Sequence, residues 1–321
     1  MPGRRRRGRK VSGIVALIVA LVVGFAGIST AQERFGYGFF GLPQLSIPSF
    51  GGLPDPLRQD TPTTLAEGSV EVHFIDVGQG ESILILAPEK TVLIDGGDNG
   101  QGPTVLRYLS ARGVRSIDIL IATHPHADHI GGLIDVVQQL PISTVIMPEV
   151  PDDLVPTTRT YTNFLMALLE SGLSITPAVA GEVHDLGGGA ALTILAPVRD
   201  YSRLNDMSVV SRLEFGEISF LFTGDIEIAA EHDLATAGGI RSDVLNLAHH
   251  GSRTSTTQIF LDAVNPSIAV IACGLDNPHG HPHRTVMERL EAMDIHILRT
   301  DFDGSIVIVT DGESIGISTE R

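Results

Sequence analysis

Within six residues the chain places three histidines and an aspartate, His124, His126, Asp128 and His129, directly after the largely apolar run 117–122. Such a set of residue types, following a buried strand, forms a metal-ligand cluster. Pro125 biases His124 towards an extended backbone, so His124 and His126, two residues apart, point the same way. Asp128 and His129 then open a helix, where adjacent side chains diverge by about 100°. Two ligands therefore face one metal ion and two a neighbouring one. Gly131 and Gly132 let the backbone pack closely beneath. Three surface histidines in an ordinary loop are the bland alternative, and they leave the aspartate and the buried strand unexplained. Cys273 is the single cysteine, which excludes an internal disulfide framework and any cysteine-based zinc finger. The ligands to a metal must then be His, Asp or Glu.

With 321 residues, 43% of them hydrophobic and 19% charged, the chain can bury a sizeable core and is too apolar to be disordered. Six of its 22 basic residues fall in the first ten positions, which leaves 16 against 38 acidic ones elsewhere. Such a surface repels bare polyanions at long range and speaks against a nucleic-acid binder held by basic patches.

The basic decamer runs into the apolar segment 11–28, and Ser29-Thr30-Ala31 follows with small residues of the cleavage-site kind. Residues 1–31 are expected to be a signal peptide or an uncleaved membrane anchor, with the rest of the chain outside the cytoplasm. Residues 32–69, rich in Gly and Pro and without helical or alternating period, read as a disordered linker. From 70 to 321 short β-like runs alternate with helical patterns. Strands are expected at 70–76, 82–87, 91–95, 117–122, 144–147, 191–196, 208–215, 218–223, 244–247, 268–272, 296–299, 306–310 and 314–318. Helices are expected near 103–112, 129–140, 160–171, 226–236, 256–264 and 283–293. Asp311-Gly312 signals a hairpin turn. The pattern is that of a layered α/β (α+β) domain.

The His-x-His-x-Asp-His string resembles the signature of metallo-β-lactamase-fold hydrolases. Leu93-Ile94-Asp95-Gly96-Gly97 and Phe220-Leu221-Phe222-Thr223-Gly224-Asp225 resemble that superfamily's acidic and bridging-carboxylate motifs, in its order. The segment 74–82, Asn205-Asp206-Met207-Ser208, His249-His250-Gly251-Ser252 and Asn277-Pro278-His279-Gly280-His281-Pro282-His283 are similar to the ComEC-type competence-protein branch, as a stand-alone exported domain. The resemblance covers roughly residues 70–321. It implies a four-layer αββα sandwich with two metals at one edge of the sheets.

By the same resemblance, His124 and His126 bind the first metal, Asp128 and His129 the second, and Asp225 bridges them. Asp95 orients the loop and is a possible further ligand, as is His281. The superfamily's third histidine on the first metal falls near Asn205, and Asn is a poor zinc ligand. That departure suggests a weakly held first metal, a water in its place or a harder ion. His250 is taken as the last ligand of the second metal. Adjacent residues diverge in extended chain, so His249 is expected to contact substrate or donate a proton. Asp128 and Asn205 stand beside it as candidate catalytic groups. Ser252 either binds a phosphate oxygen or a histidine or serves a simple turn. The stretch 149–156 is expected to overhang the site, and His73, His184, His232 and His296 read as surface or strand residues.

Two divalent ions, zinc first and manganese second, lower the pKa of a bridging water towards neutrality and clamp a tetrahedral centre. The expected function is an extracytoplasmic phosphodiesterase using a metal-bound hydroxide, with DNase activity on single-stranded DNA as one form. Hydrolysis of cell-wall phosphodiesters such as phosphorylcholine esters, or of lactone, lactam or thioester substrates, is the alternative. A non-catalytic binding module is a third reading. The protein is expected to be extracellular, or held at the outer face of the cytoplasmic membrane through its N-terminal segment. Nothing in the sequence identifies a protein partner.

Overall fold

The computed structural model describes residues 68–321. The expected signal peptide or anchor at 1–31, and the expected linker at 32–69 apart from its last two residues, lie outside the described residues. Among the described residues no helix is long and apolar enough to cross a membrane.

A strand that is apolar at every position, such as Ile83-Leu84-Ile85-Leu86, is stable only with both faces covered, and two sheets packed face to face meet that need. The first sheet holds β1 (Val70–Phe74), β2 (Ile83–Leu86), β3 (Thr91–Ile94), β4 (Ile117–Ile121), β5 (Ile142–Met147), β6 (Ile175–Pro177), β14 (Ile306–Thr310) and β15 (Ile315–Thr319). Its spatial order is β15-β14-β1-β2-β3-β4-β5-β6. The second holds β7 (Val183–Gly187), β8 (Ala190–Ala196), β9 (Val210–Phe215), β10 (Ile218–Phe222), β11 (Val244–Asn246), β12 (Ile268–Ile271) and β13 (His296–Arg299), in the order β13-β12-β11-β10-β9-β8-β7. Each sheet is antiparallel in one half and parallel in the other, the parallel strands being β3 to β6 and β10 to β13.

Strand alternation sorts the apolar side chains into layers. Ile83 and Ile85 of β2 face inwards and share a cluster with Leu192, Ile194, Leu213, Phe220 and Phe222 of the other sheet. Leu84 and Leu86 face outwards, to α1 (Gly102–Ala111), α3 (Leu133–Gln139) and α4 (Arg159–Glu170), through Val105, Leu109, Leu133, Val136 and Phe164. On the second sheet Leu221, Leu245 and Ile271 pack outwards on α5 (Ile228–Ala237), α6 (Gln258–Val264) and α7 (Arg284–Ala292). The result is the four-layer αββα sandwich expected.

Each expected strand is present, most of them a residue or two different at an end. β6 and β7 were not expected. Both are sheet-edge strands, one closing on Pro177 and the other carrying His184 and Asp185, so neither shows an apolar run. The helix expected over 129–140 is two, α2 (Ala127–Ile130) and α3, separated by Gly131 and Gly132. A short α8 (Thr300–Asp303) follows β13. The Asp311-Gly312 hairpin joins β14 to β15, with Asp311 Oδ1 accepting from the N–H groups of Glu313 and Ser314. His73 is fully buried, between Glu71 and Tyr108. It lies on the outward face of β1, where the sequence alone offers no sign of a cover.

Candidate metal centre

In both sheets the polar loops leave the carboxyl ends of parallel strands, where ligands gather in open α/β sheets. Asp95 follows β3, residues 123–129 follow β4, Asp225 follows β10, His249 and His250 follow β11, and Ala272 follows β12. The sandwich brings the two sets of loops together over one edge.

Asp225, almost wholly buried, stands between them. Its Oδ1 lies 3.2 Å from His129 Nε2 and 3.6 Å from His250 Nε2. Its Oδ2 lies 3.6 Å from His124 Nε2 and 3.7 Å from His249 Nε2. Ligand atoms of His124, His126 and Asp225 fall within 4.8 Å of one another, and so do those of Asp128, His129 and His250. Asp128 Oδ2 is 3.3 Å from His250 Nε2.

The protons on these rings can be placed from their partners. His129 Nδ1 donates to Asp95 Oδ2 at 2.6 Å, and His250 Nδ1 donates to the Ala272 carbonyl at 2.8 Å. Each Nε2 is left with a lone pair, and both are buried without a hydrogen-bond partner, as is Asp225 Oδ1. Acceptors turned towards one another in a dry pocket repel unless a cation lies between them. The donor set fits a divalent ion, and its nitrogen and carboxylate composition, without sulfur, suits zinc or manganese.

The electrostatics show the same demand for positive charge: without an ion, a proton on His129 Nε2, facing Asp225 Oδ1, takes its place. Burial disfavours charge on His129, but the carboxylates of Asp225 and Asp95 outweigh it and raise its pKa well above the usual imidazole value. Burial and the neighbouring His129 hold His124 well below that value. Burial also opposes ionisation of Asp225, yet His129 and His250 keep its carboxyl well below the ordinary range.

Asp95 has a left-handed backbone, φ 56°, and is fully buried. Its Oδ1 accepts from Thr123 N at 2.8 Å, and its Oδ2 from Thr123 Oγ1 at 2.6 Å as well as from His129. The Asp95 loop reaches the His129 turn because Gly132 has no side chain: a Cβ there would overlap the Gly96 carbonyl oxygen. Gly96 N donates to His129 O at 2.7 Å and Gly132 N to Gly97 O at 3.0 Å, which ties the two loops together. Asp95 acts on the centre through His129.

His249 and His250 are not extended. Both are left-handed, with φ 53° and 55°, and the divergence expected of neighbours in a strand does not apply: both rings turn to Asp225. Asn205 meets His249, with its Nδ2 3.4 Å from His249 Nδ1. Ser252 bonds Thr254 Oγ1 at 3.0 Å, and Thr254 Oγ1 lies 3.3 Å from His249 Nδ1. Ser252 is thus one group removed from the histidine.

A cleft of about 320 Å³ opens over the cluster, and its wall includes Gln79, Asp98, His279 and His281. Asn277 shapes that wall: its Oδ1 accepts from His281 N at 2.9 Å and its Nδ2 donates to His281 O at 2.6 Å. Burial and the surrounding histidines push the His281 pKa down to about 4, so its imidazole is neutral at pH 7. The stretch 149–156 takes no part in the wall. Leu154 and Val155 instead pack on the two outer apolar clusters. Sequence reasoning assigned no role to Gln79 or Glu81, which lie in the quoted segment 74–82. Glu81 is buried within 4.8 Å of Asp95 and His129, and burial pushes its pKa up to about 7. Their signal was two long polar side chains between apolar strands, which does not by itself say which way they point.

An αββα sandwich with two facing sets of histidine and carboxylate ligands under an open cleft is the frame of a metallo-hydrolase. Residues 75–275 match the Metallo-beta-lactamase superfamily, and the chain belongs to it. The chain is 31% identical over 269 residues to ComE operon protein 3 of Bacillus subtilis (strain 168), covering 76% of this chain and 33% of that protein. It is 30% identical over 251 residues to Competence protein ComA of Neisseria gonorrhoeae, with the same shares, 76% and 33%. The chain therefore spans about a third of the length of these relatives. Among solved structures it is similar to Igni18, a metallo hydrolase from the hyperthermophilic archaeon Ignicoccus hospitalis KIN4/I. The TM-score there is 0.50 at 13% identity, over 74% of this chain and 98% of that one, a likeness of fold alone.

Proposed function

We propose that this chain is a two-metal hydrolase of phosphodiesters that works outside the cytoplasm. The observation that carries the proposal is Asp225, which turns one oxygen to His129 and His250 and the other to His124 and His249. One ion would be held by His124, His126 and Asp225, the other by Asp128, His129, His250 and Asp225. Zinc or manganese at these positions would supply Lewis acidity and activate water as a nucleophile at neutral pH.

The chain's own groups prepare the site. Asp95 and the Ala272 carbonyl keep the Nδ1 protons of His129 and His250, which holds both Nε2 lone pairs on the centre. Neutral His281 and the Gln79 amide, both lining the cleft, offer hydrogen bonds to substrate oxygens. A cleft of about 320 Å³ accepts a small diester or one nucleotide unit of a strand. The competence relatives support a nucleic-acid substrate, and the 38 acidic side chains favour short or single strands over long duplex. The basic decamer and apolar segment 11–28 support a location outside the cytoplasm, which protease accessibility of the domain in intact cells tests.

The substrate class is tested with the full chain loaded with zinc or, separately, manganese. Bis(4-nitrophenyl) phosphate, a single-stranded oligonucleotide, a phosphorylcholine ester, a lactone and a thioester are offered in parallel. Turnover of the diesters above the carbonyl substrates is expected. Turnover confined to the lactone or thioester by the metal-loaded chain ends the phosphodiesterase reading, and no turnover of any substrate favours a binding module.

A further inference from the structure

The two sides of Asp225 differ in what they bring to an ion. On the Oδ1 side stand His129, His250 and Asp128; on the Oδ2 side the compact set among the described residues is His124 and His126. One further nitrogen faces Oδ2, that of His249, whose Nε2 is 3.7 Å away, against 3.6 Å for His124 Nε2. The geometry points to His249 as a metal ligand on the Oδ2 side, and to Asn205 as the group that positions it. This inference rests on the two-metal reading above.

The other nitrogen of the ring is arranged as a ligand histidine requires. Around His249 Nδ1 lie Thr254 Oγ1 at 3.3 Å, Glu227 Oε1 at 3.6 Å and the Asn205 amide at 3.4 Å. The oxygen and nitrogen of an amide are assigned from their partners. Turning the Asn205 amide places Oδ1 opposite His249 Nδ1 and gives a partner to an oxygen that is otherwise buried without one. Nδ1 then donates its proton to oxygen acceptors, and Nε2 presents its lone pair to the site, the same disposition seen at His129 and His250. Glu227 is itself fixed, by an ion pair with Arg203 and by Asp206 Oδ1, which accepts from its backbone N–H at 2.9 Å.

The backbone supplies an independent observation. Two consecutive non-glycine residues in the left-handed region are strained, and such strain persists where the surroundings over-determine it. The strain at His249 and His250 has one visible consequence, which is that neighbouring residues both direct Nε2 at Asp225, one at each oxygen. With the pair extended, one ring would leave the site.

The test counts metal rather than product. The full-length wild type, His249→Asn and Asn205→Ala are stripped with chelator and titrated with manganese or cobalt. Bound ions are measured by elemental analysis, and cobalt coordination by its visible absorption. Asn tolerates the left-handed backbone, so His249→Asn separates ligation from folding, and thermal unfolding of the metal-free proteins checks that both variants fold. The wild type is expected to hold two ions. His249→Asn should keep one and bind the second at least about 100-fold more weakly, with a cobalt spectrum that loses one component. Asn205→Ala should keep both, the second weakened about 10–100-fold, as for loss of a group that orients a ligand. His249→Asn holding both ions at wild-type affinity overturns the assignment, as does loss of an ion in Asn205→Ala alone. A wild type that holds fewer than two ions defeats the two-metal reading itself.

Discussion

His129 Nδ1 lies 2.6 Å from Asp95 Oδ2, and both side chains are wholly buried. Asp95 also accepts two hydrogen bonds from Thr123, so its carboxylate has no freedom to turn away. In Asp95→Asn the new amide fills the same space but sets NH₂ against the Nδ1 proton. The imidazole then shifts its proton to Nε2 and loses the lone pair that faces Asp225. Metal affinity is expected to fall about 10–100-fold with little change of fold, as measured by competition against a chelating dye. Unchanged affinity would contradict the role given to Asp95.

Gly132→Ala should cost roughly 1–3 kcal/mol of stability, since the added Cβ meets the Gly96 carbonyl oxygen, part of a backbone that cannot rotate aside. The nearest atom to a Cβ at Gly316 is 4.0 Å away, and its φ is not left-handed, so Gly316→Ala should be tolerated. Thermal unfolding of the pair decides the matter. Metal affinity should fall only in the first variant, where the His129 turn is displaced.

His73 Nε2 donates to Glu71 Oε2 at 3.0 Å while Nδ1 accepts from Tyr108 Oη at 3.0 Å, which fixes a neutral tautomer. Burial lowers the His73 pKa, and the partial compensation from Glu71 does not restore it. The unfolded chain takes up a proton near pH 6.5 that the folded chain refuses, so stability present above pH 6.5 is lost as pH falls below it. Glu71, held below its ordinary value by the His73 hydrogen bond, adds a loss of the same sign below about pH 4.5. Denaturant unfolding between pH 7.5 and 5 should show a steeper decline for wild type than for His73→Gln. Parallel declines would show that His73 carries no part of it.

Without metal the Nε2 atoms of His129 and His250 and Asp225 Oδ1 make no well-formed hydrogen bond, and a proton on His129 is the poorer substitute for an ion. Adding zinc or manganese should therefore raise the unfolding temperature, by about 2.7 kcal/mol of stability at an ion concentration 100 times Kd. Asp225→Asn should show little of this shift. An equal shift in that variant would place the ions elsewhere.

Much of the fold and the centre was legible in the sequence, for physical reasons. Strands such as β2 and β12, buried on both faces, carry continuous apolar runs, and the four candidate ligands between 124 and 129 sit on a turn whose spacing limits their facing. The half-exposed edge strands β6 and β7 lack such runs. The left-handed backbone of His249 and His250 is set by packing against the Asp225 loop and has no local signal, so the relation between the two rings could not be read from their adjacency. The burial of His73 depends on α1, some 30 residues on in sequence and brought over β1 only by the sheet order. Gln79 and Glu81 acquire meaning only when the β1–β2 loop meets segments from β3, β4 and β12.

The claim that Asp225 joins two ions into one catalytic centre is tested most directly by titrating the metal-free full chain with manganese or zinc while following hydrolysis of bis(4-nitrophenyl) phosphate, beside Asp225→Asn. Activity that climbs to a break at two equivalents per chain and is absent from the variant is the predicted result. A break at one equivalent, or turnover retained by Asp225→Asn, would contradict it.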